Sequence, residues 1–254
     1  MRKQTRGFCK YCGKEYTKTG MVKHLKTCKE RNVIFEQATG QTAWYQLLLQ
    51  SEYMNDYWLI IQIKEGASLK KLDQFIRDIW VECCGHLSCF EINGQLYESV
   101  PYMGKSMNSK LNNVFRSGMT IKYEYDYGST TSLIIRVLDY YSAPAEKKDV
   151  VILSRNNPPE ILCAECEKNK ADWVNPYEYF DNGLICNECL KARVTAEIKE
   201  EDPDEEIDED YISEITDQVC EDYLPVCNSP RMGVCGYDGS RYYPDQFVPD
   251  QEAE

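Results

Sequence analysis

Two groups of cysteines in this 254-residue chain have the spacing of metal ligands. The first group is Cys9-x2-Cys12, followed by His24-x3-Cys28. Two thiols on a short turn, with an imidazole and a thiol one helical turn apart, supply four donors suited to tetrahedral coordination. We therefore predict a Zn²⁺ site formed by Cys9, Cys12, His24 and Cys28 in a small ββα zinc finger. Such a unit is too small to fold alone, so the metal supplies most of its folding free energy.

The second group is Cys163-x2-Cys166-x19-Cys186-x2-Cys189. The gap between the two pairs lies in the range found in four-cysteine zinc sites. Because cysteine fills all four positions, the spacing predicts a structural site rather than a catalytic one. Residues 159–198 are therefore expected to form a zinc ribbon or treble-clef-like unit. Together the two groups predict two Zn²⁺ ions in the chain.

The charge of the chain is strongly polarised. Residues 1–32 carry ten basic and two acidic residues, a net charge of +8, whereas residues 201–254 carry a net charge of −15 and the whole chain −13. Phosphate groups attract such a basic segment. The candidate nucleic-acid contacts are the five lysines on the predicted finger helix and its approach: Lys14, Lys18, Lys23, Lys26 and Lys29. A lone finger reads about three base pairs, so its specificity is expected to be weak. Whether the acidic tail folds over this basic head stays open.

Several enzyme classes lack their sequence signatures here. No phosphate-binding loop, dinucleotide fingerprint or nucleophile elbow occurs, and the only histidines are His24 and His86. With His24 assigned to metal, imidazole-dependent catalysis would rest on His86 alone. We assign no catalytic residue and favour a non-catalytic protein. An enzyme that pairs Cys83 or Cys84 with His86 is the least favoured alternative.

A third group of thiols is ambiguous. Cys83-Cys84-Gly85-His86 is followed closely by Cys89. One interpretation is a third metal site or a reactive thiol; the other is small side chains packing at a turn, with His86 bound to backbone carbonyls. Because adjacent cysteines tend to point apart, we expect the second. Three further cysteines lack knuckle spacing: Cys220, Cys227 and Cys235.

The segment between the two cysteine groups has the pattern of an α+β domain. Apolar residues at three- and four-residue spacing predict an amphipathic helix that begins after an N-capping Ser68 and ends near Gly85. Alternating residues predict a half-buried strand over 119–127, and Asn93-Gly94 predicts a tight hairpin. Further strands are expected at Trp44–Leu49, Tyr57–Ile63, Leu133–Leu138 and Val150–Leu153. An antiparallel sheet with packed helices follows.

These observations divide the chain into four segments. We predict a basic finger over 1–32, an α+β domain over 42–158, a four-cysteine unit over 159–198, and an acidic linker and tail over 199–254. No apolar run reaches the ~18 residues of a spanning helix, and no secretory signal precedes the first cysteines. Thirteen cysteines without such a signal favour metal ligands and free thiols in a reducing compartment. We expect a cytoplasmic protein with no membrane partner.

Two runs of the central segment are similar to a known family. The run from Tyr57 through Cys83-Cys84-Gly85-His86, followed by Tyr123-Glu124-Tyr125-Asp126, resembles the plasmid pRiA4b ORF-3-like family over roughly residues 42–141. The resemblance implies an α+β domain, and larger members also carry a four-cysteine knuckle. The N-terminal finger looks like an addition. The family is known mainly from uncharacterised proteins of prokaryotic plasmids and mobile elements, so no catalytic residue is carried over.

The first functional hypothesis is a zinc-dependent protein that binds nucleic acid through its finger and is associated with plasmids or mobile elements. DNA and RNA both stay open. The alternative is a protein–protein adaptor in which the finger and the tyrosine-rich sheet are docking surfaces. Its interface would include the tyrosines of the 119–127 strand.

Overall fold

The computed structural model describes residues 4–178, 183–201 and 208–243. Residues 4–159 and 240–243 form one compact unit, and the described residues from 160 to 239 form a second. The chain is an α+β protein with a large antiparallel sheet. None of the described helices is both long and apolar enough to span a bilayer.

The first unit begins with the finger. Strands β1 (Arg6–Phe8) and β2 (Glu15–Thr17) form an antiparallel hairpin, and helix α1 (Lys18–Thr27) follows directly. The side chain of Thr17 caps α1 by accepting a hydrogen bond from the backbone N–H of Gly20. A second helix, α2 (Lys29–Gln37), follows α1. The ββα arrangement agrees with the sequence prediction.

An eight-stranded sheet forms the body of the first unit. Its strands and short helices are, in chain order, β3 (Gln41–Ser51), β4 (Trp58–Lys64), α3 (Leu69–Ile76), β5 (Ser88–Ile92), β6 (Gln95–Glu98), β7 (Lys105–Ser106), α4 (Leu111–Val114), β8 (Thr120–Tyr125), β9 (Thr131–Pro144) and β10 (Val150–Arg155). The spatial order is β10-β4-β3-β9-β8-β5-β6-β7. All neighbours are antiparallel except the short β6–β7 pair.

The predicted amphipathic helix is present but changes form. Ser68 caps α3 by accepting from the backbone N–H of Lys71, as predicted. After Ile76 the chain continues as a π-helical turn over Arg77–Val81, and Glu82 is extended. The helical segment therefore ends at Val81, short of the Gly85 expected from periodicity. A π-helical turn inside a helix is frequently found at functional sites.

Local turn chemistry sets the hairpin and the tyrosine strand. Asn93 and Gly94 both have positive φ, at 51° and 76°, as a two-residue β5–β6 turn requires. In β8, Tyr123 and Tyr125 are fully buried, whereas Tyr127 beyond the strand is about half exposed. The predicted alternation is confirmed. The tyrosines of β8 itself belong to the core, so they are not available to the docking surface of the alternative adaptor hypothesis.

Both faces of the β3–β4 pair are buried. On one face Leu47 and Ile61 belong to a core that includes α3. On the other face Trp44, Trp58 and Ile60 pack with residues of the finger helix. Strands covered on both sides show nearly continuous apolar runs, which explains the sequence of β4.

The finger also joins the edge of the sheet through its backbone. The N–H of Lys10 donates to the carbonyl of Leu153 at 2.9 Å, and the N–H of Asn157 donates to the carbonyl of Arg6 at 2.6 Å. Between these two contacts, a Cβ on Gly7 would lie 2.0 Å from the carbonyl oxygen of Arg155. A glycine is therefore required where β1 approaches β10.

The second unit contains the other cysteine group. Strands β11 (Trp173–Val174), β12 (Leu184–Ile185) and β13 (Leu224–Pro225) form a three-stranded sheet in the order β12-β11-β13, with helices α5 (Asn187–Glu201) and α6 (Glu209–Cys220). The hairpin β11–β12 followed by a helix is a treble-clef-like arrangement, which agrees with the predicted class.

The segment beyond residue 198 corrects one sequence interpretation. We expected residues 199–254 to be an acidic linker and tail. Instead, α5 continues to Glu201, Asp208 caps α6 by accepting from the N–H of Tyr211, and β13 pairs with β11. Met232 is buried in the core of the second unit. The acidic residues that the structure describes in this segment are exposed, and most of them lie on α5 and α6. Residues 202–207 and 244–254 of this segment lie outside the described residues.

Gly7→Ala should destabilise the first unit. The added methyl group has to displace backbone at Arg155, and such overpacking costs about 1–3 kcal/mol. The midpoint of urea unfolding, followed by tryptophan fluorescence, is expected to fall accordingly. Gly40→Ala is the matched control, because its added Cβ meets nothing within 4 Å. Equal midpoints for the two variants would contradict the close approach of β1 to β10.

Candidate metal centres and the basic face of the finger

The first cysteine group converges on one point of the finger. The ligand atoms of Cys9, Cys12, His24 and Cys28 all lie within 4.8 Å of one another, and Cys12 Sγ is 3.2 Å from His24 Nε2. The two-thiol turn is closed by the N–H of Gly13, which donates to the carbonyl of Cys9 and has φ +67°. His24 and Cys28 lie at the end of α1, one turn apart. These donors fit a tetrahedral metal ion.

Packing around this group fixes the donors. The ring of Tyr16 stacks on His24 with a centroid distance of 4.2 Å, while Met21 and Leu25 of α1 are fully buried. Burial raises the pKa of Cys9, and it raises the pKa of Cys28 to about 12. Without a cation these thiols hold their protons, so metal binding has to release them.

The second cysteine group is equally compact. The sulfur atoms of Cys163, Cys166, Cys186 and Cys189 lie within 4.8 Å of one another, and those of Cys166 and Cys186 are 4.0 Å apart. The first pair lies on a turn, and the second pair lies at the start of α5. Hydrogen bonds to Cys166, chiefly from the backbone N–H of Asn169, lower its pKa to about 6.

The lysines of the finger differ in their surroundings. Lys18 is half buried and donates to Gln50 Oε1 at 3.1 Å, and burial lowers its pKa. The other four lysines are exposed and form no ion pair with any described residue: Lys14, Lys23, Lys26 and Lys29. Lys23 and Lys26 share one exposed face of α1 with Thr19, opposite the buried Met21 and Leu25.

A third group of donors also converges. Cys83 Sγ is 3.7 Å from Cys84 Sγ, and Cys84 Sγ is 3.1 Å from His86 Nε2. The expectation that these adjacent thiols point apart is therefore wrong. Cys89 is separate from this group, buried within β5. Among the residues that the structure describes, three clusters of cysteine and histidine could thus hold a metal ion.

Comparisons with known proteins found a family model and solved structures that are similar to this chain. Residues 46–164 match the family model described as plasmid pRiA4b ORF-3-like protein. The match covers just under half of the chain and most of the central domain. One similar solved structure is a crystal structure described as a protein of unknown function, MM3350 from Methanosarcina mazei Go1. The match covers 45% of this chain and 69% of the MM3350 chain, with 19% sequence identity and a TM-score of 0.39. No curated protein matches the chain significantly.

One residue that joins the finger to the pRiA4b ORF-3-like domain was not singled out from the sequence. Arg31 of α2 is buried; its guanidinium lies 4.7 Å from the ring centroids of Phe35 and Tyr141 and donates to the carbonyl of Leu25. It also donates to Gln46 Oε1 of β3 at 3.4 Å. From the sequence Arg31 is only one of ten basic residues in the first segment; no local pattern marks it as the buried one.

Removing one donor from each four-donor cluster should remove one metal ion. Cys12→Ser and Cys166→Ser change half-buried donors, so each is expected to lose one equivalent of bound metal with little direct loss of packing. Metal content is measured by atomic emission after exhaustive dialysis. Cys220→Ser, which removes a half-buried thiol outside the clusters, is the control. A variant with the metal content of the wild type would show that its cluster is not a metal site.

Proposed function

We propose that this protein binds Zn²⁺ at its two four-donor clusters and binds nucleic acid through the exposed lysines of the finger. The observation that carries the proposal is the absence of ion pairs, among the described residues, at Lys14, Lys23, Lys26 and Lys29. Lysines that are already neutralised by carboxylates are poorly available to phosphate. These four present their ammonium groups to solvent on one small unit.

The donor sets support Zn²⁺ as the metal. One cluster offers three thiols and an imidazole, and the other offers four thiols. Sites in which all four ligands are cysteine or histidine side chains are typical of structural zinc, because Zn²⁺ is redox-inactive and is bound tetrahedrally in such sites. We infer that both ions serve the fold and that neither cluster is a catalytic site.

The position of the finger supports phosphate contact. Because α1 buries Met21 and Leu25 against the sheet, the helix presents Thr19, Lys23 and Lys26 outward. Helix α1 also has no acidic residue to oppose these charges. A ten-residue helix is about 15 Å long, enough to contact several successive phosphates. One finger buries little surface, so we propose backbone-dominated binding with weak sequence preference.

The family name connects this protein with plasmids. Members are described by reference to an open reading frame of a plasmid. We therefore propose that the protein works in association with plasmid or mobile-element nucleic acid. The salt dependence of binding is the physical signature of such contacts.

The test is titration of the zinc-loaded protein with labelled single- and double-stranded DNA and RNA at several salt concentrations. For wild type we expect affinity to fall steeply with salt. Replacing Lys23 and Lys26 by glutamine removes two phosphate contacts. The negative slope of log K against log salt should therefore become shallower by about 1.8 on duplex DNA.

The matched control for charge is the pair Lys70→Gln and Lys147→Gln. Both lysines are exposed and lie outside the finger. This control variant has the same net charge as the finger variant and should keep the wild-type slope. Absence of binding to every probe at low salt, or equal slopes for the two double variants, would overturn the proposal.

A second candidate function is protein docking by the finger region. Val33 and Ile34 of α2 are 48% and 46% exposed, an apolar pair beside the basic surface. If no nucleic acid binds, this pair is the surface to test for protein contact. A protein partner that stays bound to the wild-type protein at high salt should then fail to bind the double variant Val33→Ser/Ile34→Ser.

A further inference from the structure

The third donor group lies where the π-helical turn meets β5. Cys83, Cys84 and His86 place two sulfur atoms and one imidazole nitrogen within 4.8 Å of one another. Cys84 is exposed and His86 is partly exposed, so packing of small apolar side chains does not account for their positions. The three donors belong to one loop of the first unit.

The distances fit coordination of a single ion. Tetrahedral Zn²⁺ with bonds of about 2.3 Å to sulfur and about 2.0 Å to nitrogen brings two sulfur ligands to about 3.8 Å and a sulfur and a nitrogen to about 3.5 Å. The separation of Cys83 and Cys84 is 3.7 Å, and that of Cys84 and His86 is 3.1 Å. The corresponding sulfur–nitrogen distance in the finger is 3.2 Å.

Backbone conformation turns the two thiols toward the imidazole. Gly85 has φ +84°, and its N–H donates to Glu82 Oε1 at 2.6 Å. The same carboxylate oxygen accepts from the hydroxyl of Tyr125 at 3.0 Å. That hydroxyl also accepts from the N–H of His86 at 3.3 Å. The loop is therefore closed on itself and tied to β8, which holds the donors in place.

A buried arginine holds the other side of the loop. Arg77 donates to Asp73 Oδ2 at 2.8 Å, to Glu82 Oε2 at 2.7 Å and to the carbonyl of His86 at 2.7 Å. Arg77 lies in the π-helical turn and is 8% exposed. These bonds hold the backbone of the loop that carries the donors, and hydrogen-bonded support around the ligands is typical of metal sites.

The local charge favours a cation. Asp126 Oδ2 lies 3.5 Å from His86 Nε2, and its side chain is almost fully buried. Asp126 has φ +64°, an uncommon conformation for a residue other than glycine, and its Oδ1 accepts from the N–H of Gly128. Strained residues of this kind cluster at functional sites.

We propose that Cys83, Cys84 and His86 are ligands of a third Zn²⁺ ion, distinct from the two predicted by sequence spacing. The chemical class of ligand is a thiophilic transition-metal ion, because two thiolates and an imidazole select such ions over Mg²⁺ or Ca²⁺. This proposal does not depend on nucleic-acid binding. Since Cys84 is exposed, this ion should exchange with solution chelators faster than the ions of the two four-donor clusters.

The experiment counts Zn²⁺ in the full-length protein after saturation and dialysis. We expect three equivalents in wild type and two in each of Cys84→Ser and His86→Ala. Cys89→Ser is the matched control, because it removes a thiol from the adjacent strand and should retain three. Circular dichroism and thermal unfolding verify that each variant is folded. Because Cys84 is exposed, we expect Cys84→Ser to disturb the fold least.

Co²⁺ provides an independent reading of the same site. Replacing Zn²⁺ by Co²⁺ should give thiolate charge-transfer absorption, and its intensity should decrease in Cys84→Ser but not in Cys89→Ser. Wild-type metal content and an unchanged Co²⁺ spectrum in both Cys84→Ser and His86→Ala would overturn the proposal. Because each comparison is a difference from wild type, its result is independent of how many ions the other clusters hold.

Discussion

The pairing of β3 with β4 is the constraint on which the first unit depends. These strands lie within the large sheet, and alternate residues point to opposite faces, so both faces need a cover. Helix α3 covers one face; the finger covers Trp44 and Trp58 on the other. A metal ion held by the finger cluster would therefore also protect part of the sheet, and its loss would expose Trp44 and Trp58 as well as unfold the finger.

Charge and burial separate the finger into two sides with different roles. Toward the sheet it presents Met21, Leu25 and the backbone around Gly7, which are apolar or hydrogen bonded. Among the described basic residues of the finger region, Arg31 alone is buried. Stacking on aromatic rings, together with hydrogen bonds to oxygen, offsets its desolvation. Two finger lysines have oxygen partners on the sheet side, Lys10 with Glu146 and Lys18 with Gln50; Lys14, Lys23, Lys26 and Lys29 are exposed to solvent and form no ion pair with any described residue.

The sequence predicted those features that depend on neighbours along the chain. The cap at Ser68, the turn at Asn93-Gly94 and the alternation of β8 are local interactions, and all are present. Features that depend on distant residues were missed. The positions of Cys83 and Cys84 follow from a π-helical turn and from a loop that Arg77 of this turn and Tyr125 of β8 hold through hydrogen bonds to His86. Helix α6 follows an acidic run whose composition resembles a linker. Periodicity carries no information on such contacts.

Rigid attachment changes what a single finger can do. A finger on a flexible linker loses orientational freedom when it binds, and this entropy cost offsets much of the contact energy of a small surface. Here backbone hydrogen bonds to Leu153 and from Asn157, together with Arg31, already fix the orientation of α1 on the sheet. The finger and the central domain then meet a ligand as one body, so a few phosphate contacts can be sufficient where a tethered finger would need partners in series.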